Sequence, residues 1–491
     1  MKNKGLIWFL VLIALYFALH LFKLTALPVF ADESIYIRWS QLIIDDFNRY
    51  LFYPMNDGKT PLLMWLMVPF LRLFTDQLYG ARLVSVLIGS ISISFIFFIL
   101  LKLKEKKAAY FAMFLAIINP FIFFHNRLAI TDGLLFANLI VAYFFTILIV
   151  KNKNSWSILG LAVYFFLAIM SKTPALLFMP VFYLAIFFEE KMNLKFLIEK
   201  VLKISLGLLL AGLAFASFKV VPLFSQLFSV GGNFLQNKST IFSPEIWPII
   251  INNTVYFSKQ LMTYLGPIVL VLALPAFAKT RRKQTILFLS GIIFILPLVL
   301  FGKVLYPRYI LPSSLFFISS AAISIYNLRN KKTIQYLALL LIILPYLLFI
   351  KNAYFNVDQL QLSVKDREQF LEEWSSGHGI KEATAMIQDL AKTQKVAVAT
   401  EGYFGTLPDG ILLNLHNQNV DNIYVEGIGQ PIREIPETFW QKARGFDLKL
   451  LVVNSHRLKM DIPQSQLLAS FCRPNQAPCL QVWEIKEENF K

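Results

Sequence analysis

Long apolar stretches recur along most of the chain, and they constrain its fold more than any other feature. With 57% hydrophobic and 16% charged residues, the 491-residue chain is too apolar for a soluble enzyme. The sequence therefore predicts a polytopic α-helical membrane protein with about eleven spans. The apolar runs lie at about 5–22, 81–101, 108–124, 133–150, 155–171, 174–188, 201–219, 262–278, 285–301, 309–326 and 334–350.

A shorter apolar run at 61–75 decides the predicted topology. If it crossed the membrane and the N-terminus were cytoplasmic, the lysine cluster at 102–107 would lie outside, against the positive-inside rule. The run follows Pro61 and contains Pro69, so we expect an interfacial or re-entrant helix in the first outer loop. Counted this way, the eleven spans leave the C-terminal residues on the extracytoplasmic side of the cell membrane.

The charge balance divides the chain at about residue 350. Residues 1–350 hold 32 Lys+Arg and 12 Asp+Glu, a net of +20, whereas 351–491 hold 15 and 18, a net of −3, which together give +17. The cations sit in short loops between apolar runs, as membrane topology requires, so we expect no nucleic-acid partner. We predict a transmembrane domain over 1–350.

The C-terminal residues have an ordinary composition. An amphipathic stretch at 365–393 precedes β-type runs at 395–400 and 448–453, which predicts a soluble, extracytoplasmic α/β domain over 351–491. The chain's two cysteines, Cys472 and Cys479, suit an oxidising compartment. Their spacing leaves open whether they form a disulfide.

Three outer acids are not explained by topology. Asp32 and Glu33 follow the first span, and Asp132 lies in a short outer turn between two apolar runs. Ionisable groups at that depth are costly, and a partly desolvated carboxylate can act as a general base toward a hydroxyl. The alternative for each is a helix-capping role, which needs no chemistry. We predict that the catalytic residues include Asp32, Glu33 and Asp132.

Single cations at the outer ends of apolar segments form a second set of candidates. Lys59, Lys172 and Arg308 each lie close to a proline, and Arg127 lies shortly before Asp132. Such cations, together with Tyr309, would bind a lipid phosphate through charge-assisted hydrogen bonds. The alternative is that the cations extend to lipid headgroups without a specific ligand.

The two sets together indicate a reaction. A lipid phosphate ester has an anionic leaving group, which needs cations rather than an acid, while an incoming hydroxyl needs a base. Carboxylates and cations at one outer cavity therefore favour transfer of a group from a lipid phosphate. Direct displacement with inversion is the simplest geometry, by analogy with inverting glycoside chemistry.

Six short motifs carry a family resemblance over about residues 1–350. Their order and spacing resemble those of the GT-C glycosyltransferases, specifically the protein O-mannosyltransferases and the aminoarabinose transferases that modify lipid A. The motifs are Asp32-Glu33 after the first span, Lys59 to Leu62, Ala81 to Ser85, Arg127 to Gly133, Ser171 to Pro174 and Arg308 to Pro312.

The resemblance implies a mannosyltransferase-like enzyme that takes a sugar from a polyprenyl-phosphate carrier at the outer face. In this chain Asp32 would be the base, Glu33 the paired acid and Asp132 the acid of the second outer loop. Lys59 would contact the carrier phosphate, and Arg308 would have a similar role. The resemblance implies no metal and no cofactor other than the donor itself.

Other functions remain open from the sequence. A transporter or flippase of a lipid-linked sugar would use the same cations without chemistry, and a scaffold would use only the C-terminal domain. The sugar and the acceptor, whether protein, lipid or glycan, are not specified. We also expect the loop 220–260, with Gly231 and Gly232, to act as a mobile lid over the cavity.

Overall fold

The computed structural model describes residues 3–151, 155–230, 234–275, 281–416, 418 and 421–487. The chain divides into two compact units, here called the helical unit and the sheet unit. The helical unit comprises Met1–Leu24, Arg49–Trp65 and Leu83–Phe355. The sheet unit comprises Thr25–Asn48, Leu66–Arg82 and Asn356–Lys491. Two segments from the first loop therefore group with the C-terminal residues, and the two contiguous domains expected from composition stay a prediction.

Seven helices among the described residues are long and apolar enough to cross a membrane. In water-free surroundings a helix satisfies its own backbone hydrogen bonds, which is why apolar runs of this length become helices. The polytopic α-helical membrane fold is thereby confirmed. The seven are Lys4–Leu21, Gln77–Lys102, Thr131–Lys151, Leu194–Val220, Arg281–Phe301, Pro307–Asn330 and Lys332–Phe355.

The remaining predicted spans are helical but shorter or bent. Helix Lys106–Ile118 is followed by Pro120–His125, and Trp156–Ser171 and Thr173–Phe188 are apolar helices below spanning length. The pair Ile246–Leu265 and Pro267–Ala273 would make an eighth span, although it is bent by 105°. Eleven crossings therefore stay a prediction.

The bend in that pair has a local cause. Gly266 adopts a φ of 77°, which side-chain-bearing residues rarely tolerate, and the following proline cannot continue a helical hydrogen-bond ladder. The expectation of an irregular loop at 220–260 is wrong over its last part, where Ile246–Leu265 is a helix. Pro248 obscured the pattern, but a proline in the first helical turn loses no hydrogen bond. Gly231 and Gly232 lie outside the described residues.

The first loop contains short helices, as expected. The predicted helix at 61–75 is confirmed as Leu62–Leu73, and Ala31–Asp45 and Phe47–Tyr50 precede it. Asp32 and Glu33 lie in the first turn of Ala31–Asp45. Glu33 makes half of a capping box at the start of this helix, because its Oε2 accepts a hydrogen bond from the Phe30 N–H at 3.0 Å.

The sheet unit contains a five-stranded mixed sheet in the order β2-β1-β3-β5-β4. β1 is parallel to β2 and to β3, while β5 is antiparallel to β3 and to β4. The predicted α/β domain is confirmed. The strands are β1 Val396–Thr400, β2 Ile423–Gly427, β3 Leu448–Asn454, β4 Leu467–Phe471 and β5 Leu480–Glu484.

Apolar side chains cover both faces of this sheet. All five residues of β1 are buried, and alternate residues enter two separate clusters: Val396 and Val398 on one face, Ala397 and Ala399 on the other. Such two-sided burial is typical of parallel strands flanked by helices. The helices packed here include Ile380–Leu390, Asp409–Leu415 and Glu437–Lys442. Cys472 and Cys479 form a disulfide near β4 and β5.

Candidate active site

Asp132 lies at the centre of a buried charge cluster in the helical unit. It occupies the first turn of Thr131–Lys151, where the unpaired N–H groups of the helix favour a negative charge. Lys172 Nζ donates a hydrogen bond to Asp132 Oδ1 at 2.8 Å, and Arg308 Nε lies 3.6 Å from Asp132 Oδ2. The Asp132 and Arg308 side chains are 5% and 7% exposed, whereas that of Lys172 is 24% exposed. Three residues from distant predicted motifs therefore converge.

Breaks in the apolar helices position the two cations. Lys172 follows helix Trp156–Ser171 with extended backbone and precedes a 3₁₀ turn at Thr173–Phe178. Arg308 lies in a second 3₁₀ turn, Pro307–Ile310. Pro174 and Pro307 each lie in the first turn of their segment, where the missing N–H of a proline loses no hydrogen bond. The chain therefore presents both side chains at helix ends rather than along a helix face.

Two tyrosines pack against these cations. Lys172 Nζ lies 4.6 Å from the ring centroid of Tyr309, and Arg308 Cζ lies 4.5 Å from that of Tyr306. The two tyrosine rings meet edge to face with centroids 5.6 Å apart. Such contacts stabilise cations removed from water. Tyr309, a predicted binding residue, thus lies with the cluster, and Tyr306 joins it.

Lys59 adds a third positive charge. Its ammonium group lies 5.8 Å from the ring centroid of Phe234, and its charge acts on Lys172. Lys59 is half-buried, as expected for a side chain at the edge of an apolar region. Counting Asp132, Lys172, Arg308 and Lys59, the cluster has three positive charges and one negative charge. This surplus favours an anionic ligand.

Backbone pairing holds the segment that leads to Arg308. Lys303 N donates to Phe234 O at 2.9 Å, and Gln236 N donates to Phe301 O at 2.8 Å. The Asn253 amide donates to Gly302 O at 3.0 Å. These bonds hold the segment that carries Phe234 against the segment before Arg308. Because Lys59 packs near Phe234, they also help to fix Lys59 relative to Arg308.

Arg127 is placed differently from the other predicted cations. Its guanidinium donates to four backbone carbonyls at the end of the first helix. The ring centroid of Tyr354 lies 5.2 Å from Arg127 Cζ. These contacts favour an anchoring role for the end of that helix, because the last carbonyls of a helix lack partners of their own. Its predicted contact with phosphate stays a prediction. The acceptors are Leu19, His20, Phe22 and Lys23, at 3.1, 3.0, 2.9 and 2.7 Å.

Glu33 forms a buried ion pair with Arg82 in the sheet unit. Arg82 Nε donates to Glu33 Oε1 at 2.8 Å and Nη2 to Oε2 at 2.7 Å, and both side chains are fully buried. Arg82 also donates to Leu27 O at 2.8 Å and Pro28 O at 3.0 Å. A bidentate pair with this many partners fixes the chain geometry. Glu33 therefore holds the segment that carries Asp32.

Asp32 is half-buried in the first turn of Ala31–Asp45, next to the buried Glu33. Its position before the helix interior places its carboxylate near the positive end of the helix dipole. Of the predicted site residues, the structure brings together Asp132, Lys172, Arg308 and Tyr309 in the helical unit, and Asp32 with Glu33 in the sheet unit. The catalytic roles of these residues stay a prediction.

Sequence reasoning missed two residues. Arg82 lies within the Ala81 to Ser85 motif, and a buried arginine at the start of an apolar span needs an acid partner, which Glu33 supplies. Tyr306 lies two residues before Arg308, just outside the Arg308 to Pro312 motif. The signal for both was present, since charged and amphipathic side chains beside long apolar runs are costly unless paired.

The described residues contain no group of three or more His, Cys, Asp and Glu side chains placed to hold a metal ion. The expectation that the protein uses no metal or cofactor stays a prediction.

Comparison of the fold defines the class of protein: a polytopic membrane protein with the fold of the GT-C glycosyltransferases. The chain is similar to ArnT from Cupriavidus metallidurans bound to undecaprenyl phosphate, with a TM-score of 0.60 at 12% identity over 99% of each chain. The apo state of that protein gives 0.59 at 13% identity over 98% of each chain. The Archaeoglobus fulgidus oligosaccharyltransferase in complex with Zn and sulfate gives 0.52 at 11% identity, covering 91% of this chain and 68% of that one.

Sequence comparison agrees for part of the chain. Residues 58–219 match the family model of the dolichyl-phosphate-mannose-protein mannosyltransferases. The matched segment includes Lys59, Asp132 and Lys172. Comparison with curated protein sequences gives no match. The resemblance predicted from the motifs is thus confirmed.

Proposed function

We propose that the protein is a membrane glycosyltransferase that moves a sugar from a polyprenyl-phosphate-linked donor to a hydroxyl of an acceptor. The observation that carries the proposal is the surplus of positive charge around Asp132, formed by Lys172, Arg308 and Lys59. The family match over 58–219 and the undecaprenyl phosphate bound by the similar ArnT support it.

The cations act on the leaving group. Breaking the bond between the sugar's anomeric carbon and the phosphate oxygen leaves the electron pair, and hence the growing negative charge, on the phosphate. Lys172 and Arg308 stabilise that charge in partly desolvated surroundings, where such interactions are strong. Asp132 orients the two cations, since its carboxylate lies between them.

Asp32 acts as the general base. The acceptor oxygen attacks the anomeric carbon from the face opposite the phosphate while its proton passes to the Asp32 carboxylate, which inverts the configuration. The partial exposure of Asp32 and the fixed position of its neighbour Glu33 support this assignment. The positive-inside distribution of charge supports a reaction at the extracytoplasmic face.

A radiolabelled-donor assay tests the proposal. The purified full-length protein in detergent receives a polyprenyl-phosphate sugar and an extract of its own cell envelope, and labelled product is counted. We expect Arg308→Gln to lower the rate about 100-fold, by loss of one donor to the developing charge. Arg329→Gln is the matched control, because Arg329 also stacks on a tyrosine, at 4.5 Å from Tyr326, but lies outside the cluster.

The same assay separates enzyme from flippase. A flippase consumes no donor in detergent, where there is no second compartment, so an intact donor with every envelope extract and wild-type protein would contradict the proposal. Equal loss of activity in Arg308→Gln and Arg329→Gln would contradict the role of the cluster.

A further inference from the structure

The carboxyl ends of the parallel strands in the sheet unit carry a polar and aromatic group that the reaction above does not use. β1 lies between β2 and β3, and the chain proceeds from β1 to β2 on one side and then to β3 on the other. In open α/β sheets such a reversal opens a crevice at the carboxyl ends of the strands, where ligands bind.

A buried carboxylate, that of Glu401, lies at the carboxyl end of β1. Glu401 follows β1 directly and is 2% exposed, and its carboxylate accepts hydrogen bonds from Asn454 N at 2.9 Å and Asn454 Nδ2 at 2.6 Å. Arg457 Nη1 donates to Glu401 Oε1 at 3.2 Å and also contacts Gln430. Among the described residues, Asn454 Oδ1 is buried without a hydrogen-bond partner. One acceptor at this edge therefore has no hydrogen-bond donor among the described residues.

Aromatic side chains stand beside the charged group. Tyr403 and Phe404 are 74% and 65% exposed, on the loop immediately after Glu401. Trp374, which is 36% exposed, has the Arg457 guanidinium 4.4 Å from its ring centroid. Neighbouring exposed aromatic rings form an apolar patch, and such a patch with polar groups beside it is typical of a binding site.

The loop that carries Tyr403 and Phe404 has a defined conformation. Gly402 and Gly405 adopt φ values of 74° and 111°, which turn the chain so that the two residues between them project outward. Gly402 N donates to Gly429 O at 2.7 Å, and Gly405 N donates to Asp409 Oδ2 at 2.7 Å. A pre-formed loop loses little entropy when it binds.

We propose that this edge of the sheet unit binds a saccharide, namely the glycan part of the acceptor. Sugar rings combine an apolar face, which stacks on aromatic rings, with hydroxyls that bond to carboxylate, guanidinium and amide groups, and all of these meet here. The balanced charge of Glu401 and Arg457 fits hydroxyls better than a phosphate. The inference rests on the proposed function, because it names the acceptor of that reaction as glycan-bearing.

A glycan array tests the inference without the donor. Full-length protein in detergent is applied to a printed array of neutral and acidic mono- to tetrasaccharides. We expect binding to one group of related glycans, reduced at least about tenfold in Tyr403→Ala and Phe404→Ala, as for loss of an aromatic anchor. Leu468→Ala is the control, since Leu468 is an exposed apolar residue on β4, with β5 between β4 and β3.

The outcomes separate this inference from the proposed function. No binding to any glycan, or equal binding by wild type and Tyr403→Ala, overturns the inference even if the labelled donor is consumed. Binding that depends on Tyr403 in a protein that never consumes donor supports a saccharide site while the proposed reaction fails. In the transfer assay, Tyr403→Ala should raise the KM for the acceptor about tenfold and leave the KM for the donor unchanged.

Discussion

The Glu33–Arg82 pair and the Asp132 cluster are both buried groups of opposite charge, yet they differ in balance. Arg82 and Glu33 are one cation and one anion, both fully buried, and the remaining Arg82 donors bind backbone carbonyls. Asp132 instead faces Lys172 and Arg308, and Lys172 is a quarter exposed.

This difference in charge balance suggests a structural role for the pair and a ligand-binding role for the cluster. A neutral pair with its hydrogen bonds made inside the protein stabilises a chain geometry, because any change leaves a buried charge uncompensated. A cluster with surplus positive charge and a partly exposed cation gains from an added anion. Substitutions in the two regions should therefore have different effects, on stability in the pair and on the reaction in the cluster.

Asp32 and Glu33 are neighbours with different proposed roles, since Asp32 is the general base and Glu33 belongs to the balanced pair. Asp32→Asn keeps the shape of the side chain but removes the base, so we expect sugar transfer to fall about 10³-fold while the protein stays folded in membranes. The measurement is the initial rate with radiolabelled polyprenyl-phosphate sugar. Asp46→Asn, an exposed acid at the end of the same helix, is the control. Retained turnover would rule out Asp32 as the base.

Arg82→Met tests the structural role of the balanced pair. It leaves the Glu33 carboxylate buried without its cation, so we expect a loss of about 3–5 kcal/mol in the free energy of unfolding. The measurement is the Tm of the protein in detergent. Replacing Glu33 as well, by Met, should recover part of the loss. If Arg82→Met keeps the wild-type Tm and lowers only kcat, the pair takes part in the reaction and its structural role is contradicted.

Lys172→Met tests the surplus charge. We expect the kcat/KM for the donor to fall about 10- to 100-fold, because one cation near the leaving phosphate is lost. Lys151→Met is the matched control, since Lys151 is 25% exposed and pairs with a single acid, Glu189, at 3.0 Å. Its effect should be less than about twofold. Equal effects of the two variants would remove the distinction between the cluster and an ordinary ion pair.

Asp409 in the sheet unit is a third kind of buried acid, on which burial has a larger effect than the charge of Arg38. Burial raises its pKa to about 6, against smaller opposing effects of the hydrogen bond from Gly405 N and the charge of Arg38. The folded protein therefore holds this proton more tightly than the unfolded chain, so stability should fall as the pH rises from about 4 to about 6 and then level off. Asp409→Asn should remove this dependence.

At pH 7.5 the free energy of unfolding of Asp409→Asn should exceed that of the wild type by about 2 kcal/mol. This difference should shrink toward zero at pH 4. Tm measured in detergent across this pH range provides the test. A variant whose stability changes with pH in parallel with the wild type would show that Asp409 is not responsible.

Much of the fold was predictable because it depends on local patterns. Apolar runs predict the membrane helices, and the β-type runs at 395–400 and 448–453 predict β1 and β3. The bend at Gly266 and the helix Ile246–Leu265 were missed, since prolines and glycines mark both loops and helix ends. Pairing across the chain was harder. The disulfide between Cys472 and Cys479 could not be decided from a spacing of seven residues.

For the candidate site, the identity of the charged residues could be predicted from the sequence, but their pairing could not. The sequence by itself determined which charged residues stand beside apolar runs, because an ionisable group at that depth is too costly to be incidental. Only the tertiary structure decided which charges meet. Glu33 and Arg82 are separated by 49 positions, and Lys172 and Asp132 by 40. Charge balance depends on distances between such residues, and those distances are set by how the helices pack, not by the order of residues along the chain.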